Sequence, residues 1–142
     1  MARCFMPGVK DWIVKAVSDL KSSRKLVKDD DDTLDTAAYH TQQSAEKAFK
    51  AYLIFKGVPI LKTHDLEKLL MACMKHDSAF EQLRDNAEAL SSYDTYARYP
   101  DDRFDIDREE VLEAIKHAET ILKFVKNRVA TAVQLPQLNL FE

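Results

Sequence analysis

The chain has 142 residues, 46% hydrophobic and 32% charged, with a formal net charge of -3. That is one domain's worth of soluble globular sequence, long enough to bury roughly two-thirds of its unfolded surface. Only two glycines occur, which excludes a turn-dense β fold, and the acidic balance excludes a global positive field, so any anion or RNA site must be a local patch.

Cys4 and Cys73 show no pairing pattern, and the opening residues carry too short an apolar stretch for a secretory signal. No apolar run approaches the roughly 20 residues of a membrane span. These features point to a reducing cytoplasm and no membrane association.

Five helical segments follow in chain order. From about Val9 to Lys28, Ile13, Ala16, Val17, Leu20 and Val27 recur at three- and four-residue steps. The acidic turn "KDDDDTLD" offers Thr33 or Asp35 as the next N-cap. A second helix, about Thr36 to Lys56, places Ala38, Ala45, Phe49, Tyr52 and Phe55 on one face and stops at Gly57, with Pro59 following. In "LKTHDLEKLLMACMKH", Thr63 is the expected N-cap and Leu66, Leu69, Leu70 and Cys73 form the inner stripe. A fourth segment opens with Ser78 and Glu81 in capping-box spacing, carries Phe80, Leu83, Ala87 and Leu90 inward, and is stopped by Pro100. The fifth has Asp105 or Asp107 as cap and a stripe of Val111, Leu112, Ile115, Ala118, Leu122, Val125 and Val129. The tail "VQLPQLNLFE" alternates around Pro136 and reads as extended. No strand pattern competes, so the expected architecture is all-α: an antiparallel, up-and-down bundle of about five helices with a core over about 9–130 and a tail over 131–142 in a single domain.

Three constellations carry chemistry. In "YHTQQSAEKAFKAYL", His40, Gln43 and Lys47 share one helical face, while Gln42, Glu46 and Lys50 share its neighbour, with Glu46 and Lys50 in favourable i, i+4 order. Such a face is either solvated and knit by i, i+4 pairs or a binding surface; an imidazole and two amides favour the second. In "KTHDL", His64 and Lys62 sit at a helix start, where free backbone N–H groups bind an anion, unless the element is only a cap. In "SSYDTYARYPDDRFD", Tyr93, Tyr96 and Tyr99 either close the end of the bundle or stack on a base, with Arg98 as a phosphate fork. The four histidines, His40, His64, His76 and His117, are spread along the chain without an H-E-x-x-H motif, so neither zinc nor another cofactor is expected.

Together, "AYHTQQSAEKAFKAYLIFKGVPILKTHDLEKLL" and the following "YARYP" resemble the HEPN domain family, the higher-eukaryote and prokaryote nucleotide-binding domains, from about Trp12 to Val129. The resemblance rests on Tyr39-His40 with Gln43, Glu46 and Lys47, then Thr63-His64-Asp65-Leu66, then Tyr93 or Tyr96 with Arg98-Tyr99-Pro100. It implies a helical bundle that forms a homodimer. It also implies a genetic setting beside a minimal nucleotidyltransferase, as in toxin–antitoxin pairs. Many members of the family are metal-independent ribonucleases marked by an arginine followed after four to six residues by a histidine. None of Arg3, Arg24, Arg84, Arg98, Arg103, Arg108 or Arg128 has a histidine at that spacing.

Two functional expectations result, with a third behind them. The first is a protein binding nucleotide or RNA through Gln43, Lys47, Lys62, Tyr96 and Tyr99 as partner of a nucleotidyltransferase. The second is a ribonuclease toxin using His40, His64 and Arg98, with Arg98 facing one of the histidines across the groove. The third is a dimeric helical scaffold that contacts its partner through the tail.

Overall fold

The structure, a computed structural model, describes residues 7–29, 31–96 and 106–130, and among these only helices and their connections occur. Helix α1 spans Val9–Asp29, α2 Leu34–Phe55, α3 Leu66–Met74, α4 Arg84–Leu90, α5 Tyr93–Tyr96 and α6 Arg108–Val129. Short 3-10 turns, Asp31–Thr33 and Ser78–Leu83, precede α2 and α4.

Helix α2 is the centre of the bundle and packs against α1, α3, α5 and α6. Its buried Ala37, Ala38, Ala45, Ala48 and Ala51 let neighbouring helices approach closely. The α1–α2 hairpin is antiparallel: Ser44 Oγ donates to the Ala16 carbonyl at 2.8 Å and Ser23 Oγ to the Ala37 carbonyl at 2.5 Å. Helices α4 and α6 are also antiparallel, tied by Asn86–His117 at 2.9 Å and, just before α4, by Arg128 Nε to Asp77 at 2.9 Å. One end of the core is aromatic: Phe80 lies 4.4 Å from Tyr52 and 4.8 Å from Phe124, centroid to centroid, in geometries that add stabilisation beyond simple burial. Among the described residues no helix is long and apolar enough to cross a membrane.

Helix α2 ends as its sequence predicts. Gly57 adopts φ 76°; its N–H reaches the Ile54 carbonyl and that of Val58 the Leu53 carbonyl, each at 2.9 Å. This is a Schellman closure, which requires a left-handed residue at that position. The connection 56–65 then runs back along α2, because Gln42 Nε2 donates to the His64 carbonyl at 3.1 Å while Cys73, one helix later, reaches the Phe49 carbonyl.

Helix starts differ from expectation in three places. Asp65, not Thr63, caps α3: its carboxylate accepts from Glu67 N at 3.0 Å and Lys68 N at 3.3 Å. Asp77 replaces Ser78 as the cap of the fourth segment, and Glu81 pairs with Arg84 instead of closing a capping box. At α2, Thr33 makes no side-chain cap and instead donates to the Leu26 carbonyl at 2.7 Å. Asp107 caps α6, as one of the two expected candidates, accepting from Glu110 N at 2.8 Å. The fourth segment is not continuous either, being interrupted at Ser91–Ser92 between α4 and α5.

Candidate functional site

The polar face of α2 is not solvated. Gln42, Gln43, Glu46 and Lys50 are all buried, so their polar groups must find partners inside the protein. They do so in two clusters, each built around one carboxylate.

Asp19 of α1 organises the first. Its Oδ1 lies 2.8 Å from His40 Nδ1, and its Oδ2 accepts from Lys47 Nζ. The antiparallel α1–α2 hairpin brings these residues together, since His40 and Lys47 lie seven apart, two turns along one face of α2. Burial pushes the Asp19 carboxyl up, but the hydrogen bonds from His40 and Lys47 outweigh it and hold the group below its ordinary value. His40 also meets the Tyr39 ring edge-on, with centroids 5.7 Å apart.

Glu46 of α2 organises the second. Oε1 lies 2.9 Å from His64 Nδ1, Oε2 accepts from Lys50 Nζ at 3.0 Å, and Gln42 Nε2 lies 3.4 Å from Oε1. The Glu46–Lys50 pair is the i, i+4 pair expected from the sequence. Gln42 also holds the His64 backbone, and Gln43 Nε2 donates to Gln42 Oε1 at 2.7 Å. His64 is therefore fixed to α2 by ring and backbone together, although its side chain remains 53% exposed.

A carboxylate only accepts, so the neutral form of either histidine carries its hydrogen on Nδ1 and presents a lone pair on Nε2. Each cluster gathers one carboxylate, one ammonium and one imidazole. The arrangement holds two imidazoles in set tautomers and orientations, as general acid–base chemistry or phosphate recognition requires.

The remaining expected residues fare differently. Lys62 is exposed on the connection before α3. The backbone N–H groups of Glu67 and Lys68 are occupied by Asp65, which removes two donors from the anion site expected at "KTHDL". Gln43 is buried, its amide nitrogen donating to Gln42. Tyr93 packs in the core. Arg98 and Tyr99 lie outside the described residues, as does the side chain of Tyr96, and with them the expected approach of Arg98 to a histidine. Sequence reasoning did not single out Asp19; its signal was an acid flanking the apolar stripe of α1, three residues after Ala16 and one before Leu20.

Residues 9–128 match the family model of the HEPN domain. The chain belongs to the HEPN family. As a HEPN protein it is 28% identical over 144 residues to a protein of Methanocaldococcus jannaschii named "Putative toxin MJ1304", covering 91% of this chain and 93% of that one. Two solved structures share the fold. The archaeal HEPN homologue ST0689 aligns with a TM-score of 0.70 at 28% identity, and TT1696 from Thermus thermophilus with 0.76 at 27%. In both cases 87% of this chain and 99% of the other are covered.

Proposed function

We propose that this HEPN protein binds nucleotide or RNA on the α2 face that carries His40 and Lys47, together with His64 of the connection that follows α2, and that it acts as a homodimer with a minimal nucleotidyltransferase partner in a toxin–antitoxin-type pair. The observation that carries the reading is the pair of histidines, each anchored through Nδ1 by a buried or largely buried carboxylate, Asp19 or Glu46. Anchoring both rings at once orders two long polar networks, a cost that a merely solvated face does not require. The toxin name of the Methanocaldococcus relative supports the genetic setting. Titration calorimetry with ATP, GTP and a short RNA tests the binding. Saturable heat with at least one of them is expected, and silence across the panel overturns the reading.

The same observation favours a second reading, metal-independent RNA cleavage. A neutral imidazole with its Nδ1 hydrogen held by a carboxylate is suited to take the proton of a ribose 2′-hydroxyl through Nε2. A second histidine returns a proton to the leaving oxygen. A cation, Lys47 or Arg98, would then stabilise the charge that builds on the phosphate. Incubation with RNA in EDTA separates the readings: cleavage that disappears in His40→Ala or His64→Ala supports catalysis, and intact RNA bound without cleavage supports binding alone.

A further inference from the structure

Beside the Asp19 cluster, on the outer flank of α1, lies an open groove of about 460 Å³ lined by Pro7, Lys10, Trp12, Val14, Lys15 and Lys47. Its volume falls within the roughly 300–1,000 Å³ of small-molecule sites. Its floor is apolar, and Val14 is 41% exposed in it, while lysines stand around its rim. Lys47 already pairs with Asp19. Lys10 and Lys15 make no ion pair among the described residues, and the only acid of the lining, Asp11, is engaged by the Gly8 N–H at 2.9 Å. With Lys47 matched to Asp19, Lys10 and Lys15 outnumber Asp11 and leave the lining with one net positive charge in a chain whose net charge is -3. Trp12, the single tryptophan of the chain, has the Lys50 ammonium over its ring at 5.7 Å. Its indole N–H is covered and has no hydrogen-bond partner, which is costly and uncommon for a buried donor.

We propose that this groove seats a nucleobase against Trp12, with Lys10 and Lys15 holding the attached phosphate. Charge complementarity selects the occupant. An apolar slot with an aromatic wall takes the face of a base, and unpaired ammonium groups at its rim take an anion, so the occupant must be flat, apolar and anionic together. The inference rests on the nucleotide- or RNA-binding reading above and extends it, since Lys47 borders both the Asp19–His40 cluster and the groove.

The single tryptophan makes the test direct. Its fluorescence is followed while AMP, ribose 5-phosphate or a short oligoadenylate is added, and binding of a labelled oligoadenylate is measured separately by anisotropy. Saturable change with AMP or the oligonucleotide, and none with the base-free sugar phosphate, is expected; whichever of the two responds identifies free nucleotide or RNA as the source. Lys10→Glu, Lys15→Glu and Trp12→Phe are each expected to weaken binding, the charge reversals on the order of tenfold. Should Trp12→Phe fail to fold, the two charge reversals decide. Anisotropy that reports RNA binding while Trp12 fluorescence stays constant and both charge reversals bind normally overturns the groove and leaves the α2 site standing. Absence of binding by either method overturns both.

Discussion

Glu46 lies on the central helix with its side chain only 4% exposed, and its two oxygens are divided between His64 Nδ1 at 2.9 Å and Lys50 Nζ at 3.0 Å. A residue on the half-exposed connection before α3 is thereby tied to the interior of α2. The same logic operates further back along α2, where Asp19 reaches from α1 to His40 and Lys47. The candidate site is in this sense an outcrop of two buried polar networks, and its stability and its chemistry are coupled.

Removing Glu46 is expected to destabilise the fold strongly. Glu46→Ala leaves the Lys50 ammonium buried without its counter-charge, a change that costs about 3–5 kcal/mol in comparable buried pairs. Glu46→Ala with Lys50→Met recovers much of that loss, since the uncompensated charge goes with its partner. His64→Ala costs less than about 1 kcal/mol, because the ring it removes is half in solvent. Urea unfolding of the four proteins, including wild type, measures all three differences.

Asp19 predicts the acid limb of the stability profile. Its carboxyl is held below the ordinary 3.8, so the folded state releases that proton more readily than the unfolded chain. Stability from this group is therefore fully present above the ordinary value and is lost as pH falls through the lower folded one. Asp19→Asn is expected to flatten this part of the profile below the ordinary carboxyl value of 3.8. Thermal melts of wild type and variant across that range read the difference; parallel profiles would show that His40 and Lys47 do not hold the carboxylate.

Cys73 predicts the opposite limb. Burial pushes its thiol up to about 12 from an ordinary 9.0, and its S–H points to the Phe49 carbonyl at 3.7 Å. The native thiol stays protonated where the unfolded one ionises, so stability from this source is present below pH 9 and declines as pH rises toward 12. In a Cys4→Ser background, the single remaining thiol is expected to resist a thiol reagent at neutral pH and to react at the rate of unfolding. Fast labelling of the folded protein would contradict its burial.

Much of the fold was readable in advance because helical periodicity and burial report the same thing. Ile13, Ala16, Val17, Leu20 and Val27 of α1 are all buried, as are Leu66, Leu69, Leu70 and Cys73 of α3 and Phe80, Leu83, Ala87 and Leu90 of the fourth segment. Leu112 is the exception in the last stripe, 44% exposed, since it stands about 100° round α6 from the buried Val111. Caps were less readable. Thr63 against Asp65, and Ser78 against Asp77, are choices between neighbouring acceptors, decided by which residue holds the extended φ and ψ of an N-cap.

The site was readable by residue type and not by partnership. His40 stood out as an imidazole among amides on a helical face and His64 by its place at a helix start, and the Glu46–Lys50 pair follows from i, i+4 spacing. Asp19–His40 and Glu46–His64 join residues 21 and 18 positions apart. The first is made by the hairpin register and the second by the return of the connection 56–65. No local spacing encodes either.

The central claim, that the α2 face meets RNA through its anchored histidines and lysine, is tested most directly by the affinity of the full chain for a short labelled RNA across a salt series. Wild type is compared with His40→Ala, His64→Ala and Lys47→Ala, and folding is checked by circular dichroism. The account predicts saturable binding, weakened about tenfold in the histidine variants, and a salt slope reduced by about 1 in Lys47→Ala as one phosphate contact is lost. Equal affinities and equal slopes in all four folded proteins would contradict it.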